Sequence, residues 1–115
     1  MHKTKVSKST KELVPPKTLS ICGNTWTVQY VEGLLGNWGL HGRTEPAQQV
    51  ILIGTDQHPQ QLARTLLHEA LHACLASSSG HQLGYEHEEV LIRCLEPALL
   101  SLLRDNPKLV EVLTK

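Results

Sequence analysis

Two histidines stand four residues apart, with a glutamate directly after the first, in the run His68-Glu69-Ala70-Leu71-His72. On an α-helix, positions i and i+4 lie one above the other on a single face, so both imidazoles can aim at one ion. Zinc suits such a pair. It accepts nitrogen and carboxylate ligands and can keep one position open for water. Bound zinc lowers the pKa of that water. Glu69, one residue round the helix, is placed to take the proton as the water attacks a carbonyl. The spacing thus names His68 and His72 as metal ligands, Glu69 as general base and Zn2+ as the cofactor.

The pattern needs a helix, and the chain supplies one. Residues 60–76 contain no Gly or Pro and are rich in Leu and Ala, which favour helix strongly. Pro59 stands where a first helical residue would, and Ser77-Ser78-Ser79-Gly80 gives a stop. The competing reading is an ordinary amphipathic helix that happens to carry these three side chains.

A catalytic zinc takes three protein ligands. The third should come from the segment after Gly80, where a second helix can cross the first. His81, Glu86, His87, Glu88 and Glu89 are the candidates. Leu91, Ile92, Leu95, Leu99 and Leu102 form an apolar stripe, and Glu88 precedes its members by three, four and seven residues. That places Glu88 on the core side, where an unpaired carboxylate would be costly. Glu88 is therefore the first choice, Glu89 at the edge of the stripe the second, and His81 or His87 the fallback. Glutamates also favour a helix N-terminus with no metal involved. His41, His81, His87 and Tyr85 are candidates for stabilising an oxyanion.

One domain fits the 115 residues, and 11 basic against 11 acidic side chains give no net charge that would suggest a nucleic-acid or membrane partner. No apolar run spans a bilayer and no signal peptide is visible, so a cytoplasmic address is expected. Cys22, Cys74 and Cys94 form no CxxC pair. Their odd count predicts free thiols in a reducing compartment, used as small core residues.

Residues 1–16 carry Lys3, Lys5, Lys8 and Lys11 and few apolar groups, which predicts a disordered basic tail before one domain over 17–115. As a nucleic-acid-binding arm the tail lacks arginine and aromatic residues. Strands are expected over 18–22 and 25–31 around a Gly23-Asn24 hairpin turn, with Trp26, Val28 and Tyr30 on the buried face. Residues 33–36 read as a loop, 38–44 as an irregular third strand, and 50–53 as the central strand. His58 reads as a helix start. Residues 90–103 are helical in pattern, with Pro97 forcing a kink or break, and Asn106-Pro107 caps a short last helix. Strands followed by helices predict an α+β domain. It would be a small antiparallel sheet of about three or four strands, packed on the helix of the histidine pair and on C-terminal helices.

The run Thr65-Leu66-Leu67-His68-Glu69-Ala70-Leu71-His72-Ala73, after an apolar strand and before an acidic helix start, resembles small zincins of phages and bacteria. The general type it is most similar to is the minimal glutamate-zincin, as in ImmA/IrrE-type peptidases. The stretch from Pro97 to Pro107 also resembles small metallopeptidases inferred in tailed phages. The resemblance spans roughly residues 50–112, with only the HExxH part specific. It implies a minimal zincin-like fold, a zinc metallopeptidase acting on a protein or peptide substrate in a bacterial or host cytoplasm, and a downstream glutamate as third ligand. The chain has no Gly three and no His six positions after His72, no Met beyond Met1, and no Asn-Glu-x-x-Ser-Asp string. Metzincins and thermolysin-like enzymes are thereby excluded.

Two other classes compete. One is a non-catalytic, zinc-stabilised interaction module, in which a fourth protein ligand such as His81 or Cys22 would close the site. The other is a metal-free helical interaction protein.

Overall fold

The computed structural model describes residues 14–78 and 83–115. The predicted tail therefore lies mostly outside the described residues, as do His81 and the Ser79-Gly80 stop. Pro16, at the tail's end, is tied down: the Tyr30 hydroxyl donates to its carbonyl at 2.6 Å.

Strands β1 (Thr18–Ile21) and β2 (Asn24–Val31) form an antiparallel hairpin. Its loop is Cys22-Gly23, one residue earlier than expected, because Asn24 pairs with Ile21. Both loop residues have positive φ, 50° and 84°, the geometry that matches the twist of two paired strands. Trp26 and Val28 alternate inward as their spacing requires.

The chain then forms a short helix, α1 (Leu34–Trp38), where a loop was expected. Its first turn is held by Asp56, whose carboxylate accepts from the backbone N–H of Gly36 at 2.8 Å and of Leu35 at 3.1 Å. One residue, 20 and 21 positions away in sequence, supplies both contacts, so no local signal announced it. Trp38 ends α1 rather than opening a strand, and β3 is confined to Gly42–Glu45.

Strand β4 (Val50–Gly54) completes a four-stranded sheet in the order β1-β2-β4-β3. The expected all-antiparallel sheet is corrected here, since β2 and β4 run parallel. The cause is topological. β3 runs back along the edge of the sheet and residues 46–49 turn the chain again, so β4 enters beside β2 in the same direction. β4 is one of the two inner strands, and Ile51 and Ile53 on it are fully buried.

Helix α2 (Pro59–Ala76) carries the histidine pair. Pro59 opens it, and His58 Nδ1 accepts from the Gln60 N–H at 3.1 Å as N-cap. Its Ala73 joins Ile21, Trp26, Val28, Ile51 and Ile53 in one core cluster. Fully burying each large member contributes about 1.5–3 kcal/mol. The sheet thus fixes one side of α2 and leaves the histidine side for other contacts.

Helix α3 (Tyr85–Asp105) crosses α2 and runs unbroken through Pro97. A proline there deprives the Arg93 carbonyl of its i+4 donor, at a cost of order 3 kcal/mol. The inward face of α3 is centred on Ile92 and Glu96. Leu91, Leu95 and Leu102, expected inside, are 44%, 42% and 48% exposed. Glu96 can occupy the inward position because Arg64 of α2 donates to it at 3.2 Å. Helix α4 (Pro107–Leu113) follows, and Asn106 does not cap it with its side chain. Its Nδ2 reaches back to the Leu102 carbonyl and closes the end of α3 instead.

Cys22 and Cys94 are exposed, against the expectation that they pack in the core, while the half-buried Cys74 does pack against the core cluster. Among the described residues, no helix is long and apolar enough to cross a membrane.

Candidate metal centre

The HExxH geometry follows from the helix. His68 and His72 lie on one face of α2, with ring centroids 5.1 Å apart. Their Nε2 atoms converge on one oxygen, Oε1 of Glu89 on α3, at 3.3 Å from His68 and 2.8 Å from His72. The three ligand-type atoms all lie within 4.8 Å of one another. Ligands about 2.0–2.1 Å from a tetrahedral zinc stand about 3.3 Å from each other. The donor set, two imidazoles and one carboxylate, is therefore of the right type and nearly the right spacing for zinc.

Glu88 stands elsewhere on the same ring. Its Oε2 is 2.5 Å from His72 Nδ1, the nitrogen that faces away from Glu89. Periodicity made Glu88 the first choice of ligand. The geometry instead brings Glu89 to the histidine pair and puts Glu88 behind one of them. The rotation of α3 explains this: Glu89, Ile92 and Glu96 are spaced by three and four and share the inward face, whereas Leu91 and Leu95 lie off it. Glu88 then has the place of the carboxylate that fixes a metal-binding histidine's tautomer and ring orientation.

The other oxygen of Glu89 accepts from Arg93 Nε at 2.9 Å. An i,i+4 carboxylate–guanidinium pair is visible in the sequence, but its use here depends on which face of α3 turns inward. Burial pushes the Glu89 carboxyl up. The hydrogen bonds from Arg93 and His72 and the nearby His68 outweigh it and hold its pKa below the ordinary glutamate value. His72 shows the mirror case. Burial pushes its imidazolium down, but Glu88 and Glu89, with the Glu69 charge, hold its pKa above the ordinary histidine value. Both ring nitrogens face carboxylates, the arrangement an imidazolium satisfies by donating twice. A metal ion at Nε2 would replace one of those protons.

Glu69 is 9% exposed and His72 7%. The Thr44 hydroxyl of β3 lies 2.7 Å from Glu69 Oε1 and 3.0 Å from the Glu69 carbonyl. Sequence reasoning did not single out Thr44, because its contact spans 25 residues. Its one signal is that it lies at the end of the strand expected over 38–44.

These groups line one cleft of about 980 Å³ between β3 and the two long helices. Of the oxyanion candidates, His41 and Tyr85 line it, with the Tyr85 ring stacked 6.1 Å from that of His72. His87 is turned toward the Leu83 carbonyl at 3.1 Å. Glu86 is exposed in the first turn of α3.

No family model, no curated protein and no solved structure matches this chain.

Proposed function

We propose that the protein is a zinc metallopeptidase of minimal zincin-like build, hydrolysing peptide bonds of a protein or peptide substrate. The observation that carries this reading is the convergence of His68 Nε2, His72 Nε2 and Glu89 Oε1 beside the buried Glu69 carboxylate, in a cleft open to solvent.

In this reading His68, His72 and Glu89 bind the ion. Glu88 orients His72, and Arg93 holds the second oxygen of Glu89. A zinc ion held there supplies Lewis acidity to the water and to the scissile carbonyl. Glu69 takes the proton of the attacking water and returns it to the departing amine nitrogen. β3 is a sheet edge beside the cleft, so its free side can align an extended substrate by strand addition. His41 or Tyr85 can donate to the developing oxyanion. A closed structural zinc site would need a fourth protein ligand. Among the described residues, those grouped closely enough to hold a metal are His68, His72 and Glu89.

The test compares wild type with Glu69→Gln. That substitution keeps size and helix preference and removes the proton acceptor. Zinc content and melting temperature should stay nearly unchanged, while new protein termini seen in cells expressing wild type should disappear. Loss of a general base costs about 10²–10⁴-fold in rate. Identical termini from both proteins would refute the peptidase reading and leave a zinc-binding module.

A further inference from the structure

Two residues of the edge strand meet the helix that carries the motif. Gly42 and Thr44 are two apart, so they point to the same face of β3. A Cβ on Gly42 would lie 2.7 Å from Thr65 Cγ2, 2.9 Å from Glu69 Cγ and 3.0 Å from the Leu52 carbonyl. Glycine is what lets α2 come this close to the strand. The close approach is what puts the Thr44 hydroxyl 2.7 Å from Glu69 Oε1.

A threonine hydroxyl has one proton to donate. Here it has two acceptors, Glu69 Oε1 at 2.7 Å and the Glu69 carbonyl at 3.0 Å. The carboxylate is the stronger acceptor, since a hydrogen bond to an ionised group is roughly twice as strong as a neutral one. Donation to Oε1 fixes the side chain of a glutamate that would otherwise be free to turn about its own bonds. It leaves the second oxygen, Oε2, to receive a proton. When the carboxyl swings away, the hydroxyl can turn to the carbonyl. The part-buried hydroxyl then has an acceptor within reach in either position. Threonine suits this post because its branched Cβ is stiff at χ1 in a strand.

We propose that Thr44 is the positioning residue for Glu69: its hydroxyl donates to Oε1 and holds the carboxylate so that Oε2 faces the water to be deprotonated. The proposal rests on the peptidase reading for its purpose, though not for the contact itself.

The experiment uses the full chain and the variants Thr44→Val, Thr44→Ser, Glu69→Ala, Glu69→Gln and Thr44→Val/Glu69→Ala. Valine matches threonine in shape and lacks the hydroxyl. The contact is tested first, by thermal unfolding of the proteins with and without added zinc. Thr44→Val and Glu69→Ala should each lower the melting temperature by about 4–8 °C. The double variant should fall no further than the worse single one, and additive losses would overturn the proposal. The positioning role is then read in Co2+-substituted protein, whose visible bands report the surroundings of the metal's open position. Thr44→Val should shift the bands in the same direction as Glu69→Gln, and Thr44→Ser should restore the wild-type spectrum. With labelled casein as probe, kcat for Thr44→Val should fall about 10–100-fold with KM unchanged, again rescued by serine. A Thr44→Val protein with wild-type bands and wild-type kcat would overturn the positioning role even if the melting temperatures couple. Failure of the peptidase reading looks different: wild type would then bind no metal, or would bind it and cleave nothing, while the Thr44–Glu69 coupling persisted.

Discussion

His72 Nδ1 stands 2.5 Å from Glu88 Oε2, across 16 residues of chain and between two helices. The contact decides what the other ring nitrogen can do. In the proposed reading, a carboxylate at Nδ1 would keep the proton on that nitrogen, so that an ion could take the Nε2 lone pair in place of a proton. In the proposed reading the two glutamates, adjacent in sequence and separated by one step of rotation about the α3 axis, would have different tasks.

This division predicts an order of effects on zinc affinity. Glu89→Gln removes a charged ligand and should weaken binding most among the glutamate variants. Glu88→Gln should cost about 10–100-fold, the usual effect of losing the partner behind a ligating histidine. Glu86→Gln, exposed and outside the cluster, should bind as wild type does. His68→Ala and His72→Ala should each lose the ion. Competition against a chelator of known affinity measures the series. A larger loss from Glu88→Gln than from Glu89→Gln would return the ligand role to Glu88.

The motif helix was legible because all its signals are local. Pro59, His58 and the Leu- and Ala-rich run lie within α2 or at its start, and the pair spacing follows from 3.6 residues per turn. The α+β order of elements was legible for the same reason. What could not be read were relationships set by distant partners. Arg64 makes Glu96 tolerable inside, so the predicted apolar stripe is buried only in part: Ile92 is inside and Leu99 half-buried, while Leu91, Leu95 and Leu102 are exposed. The parallel β2–β4 pairing and the Asp56 cap on α1 likewise join segments about 20 residues apart. Hydrophobic periodicity finds a helix well, but it says less about which face wins once buried charges are paired.

The Arg64–Glu96 pair gives a stability prediction. Glu96 is 6% exposed and accepts from Arg64, whose side chain is 47% exposed. Arg64→Met would leave a buried carboxylate without its donor, at a cost of about 1–3 kcal/mol. Adding Glu96→Leu should recover most of that, since replacing both partners by apolar groups can be nearly neutral. Urea unfolding of the two single variants and the double variant reads this directly. Equal midpoints for Arg64→Met and wild type would show that the pair contributes nothing.

Asp56 gives a pH dependence. Its carboxyl is held below the ordinary aspartate value by the backbone N–H groups of Gly36 and then Leu35. A depressed folded-state pKa means stability that is present above the unfolded value, about 3.9, and is lost as pH falls through the lower folded value. The α1 segment should therefore loosen in acid. In Asp56→Asn the acid-dependent part should vanish, because the amide does not titrate. Protection of the Leu35 and Gly36 amides from hydrogen exchange, corrected for the intrinsic rate and followed from pH 5 downward, should fall with acid in wild type. Identical pH profiles for both proteins would remove Asp56 as the cause.

Gly42 makes the strictest steric demand on the site. Its backbone is not in the left-handed region, so alanine there would be strained only by its neighbours. Those neighbours are the Thr65 methyl, the Glu69 Cγ and the Leu52 carbonyl, all at 2.7–3.0 Å from the added carbon. The carbonyl belongs to β4, an inner strand, and cannot retreat without breaking the sheet. The helix must move instead, or Glu69 must change rotamer. Overpacking of this kind costs about 1–3 kcal/mol. Gly42→Ala should therefore lower stability by that amount and also lengthen the Thr44–Glu69 contact, since both depend on how closely α2 approaches β3. Its effect on any hydrolytic activity should exceed its effect on zinc affinity, because His68, His72 and Glu89 belong to the α2–α3 crossing rather than to the strand. A crystal structure of Gly42→Ala, with the zinc affinity measured alongside, tests this. If zinc binding were lost while the Thr44–Glu69 distance stayed at its wild-type value, the strand would be supporting the metal ligands rather than the base.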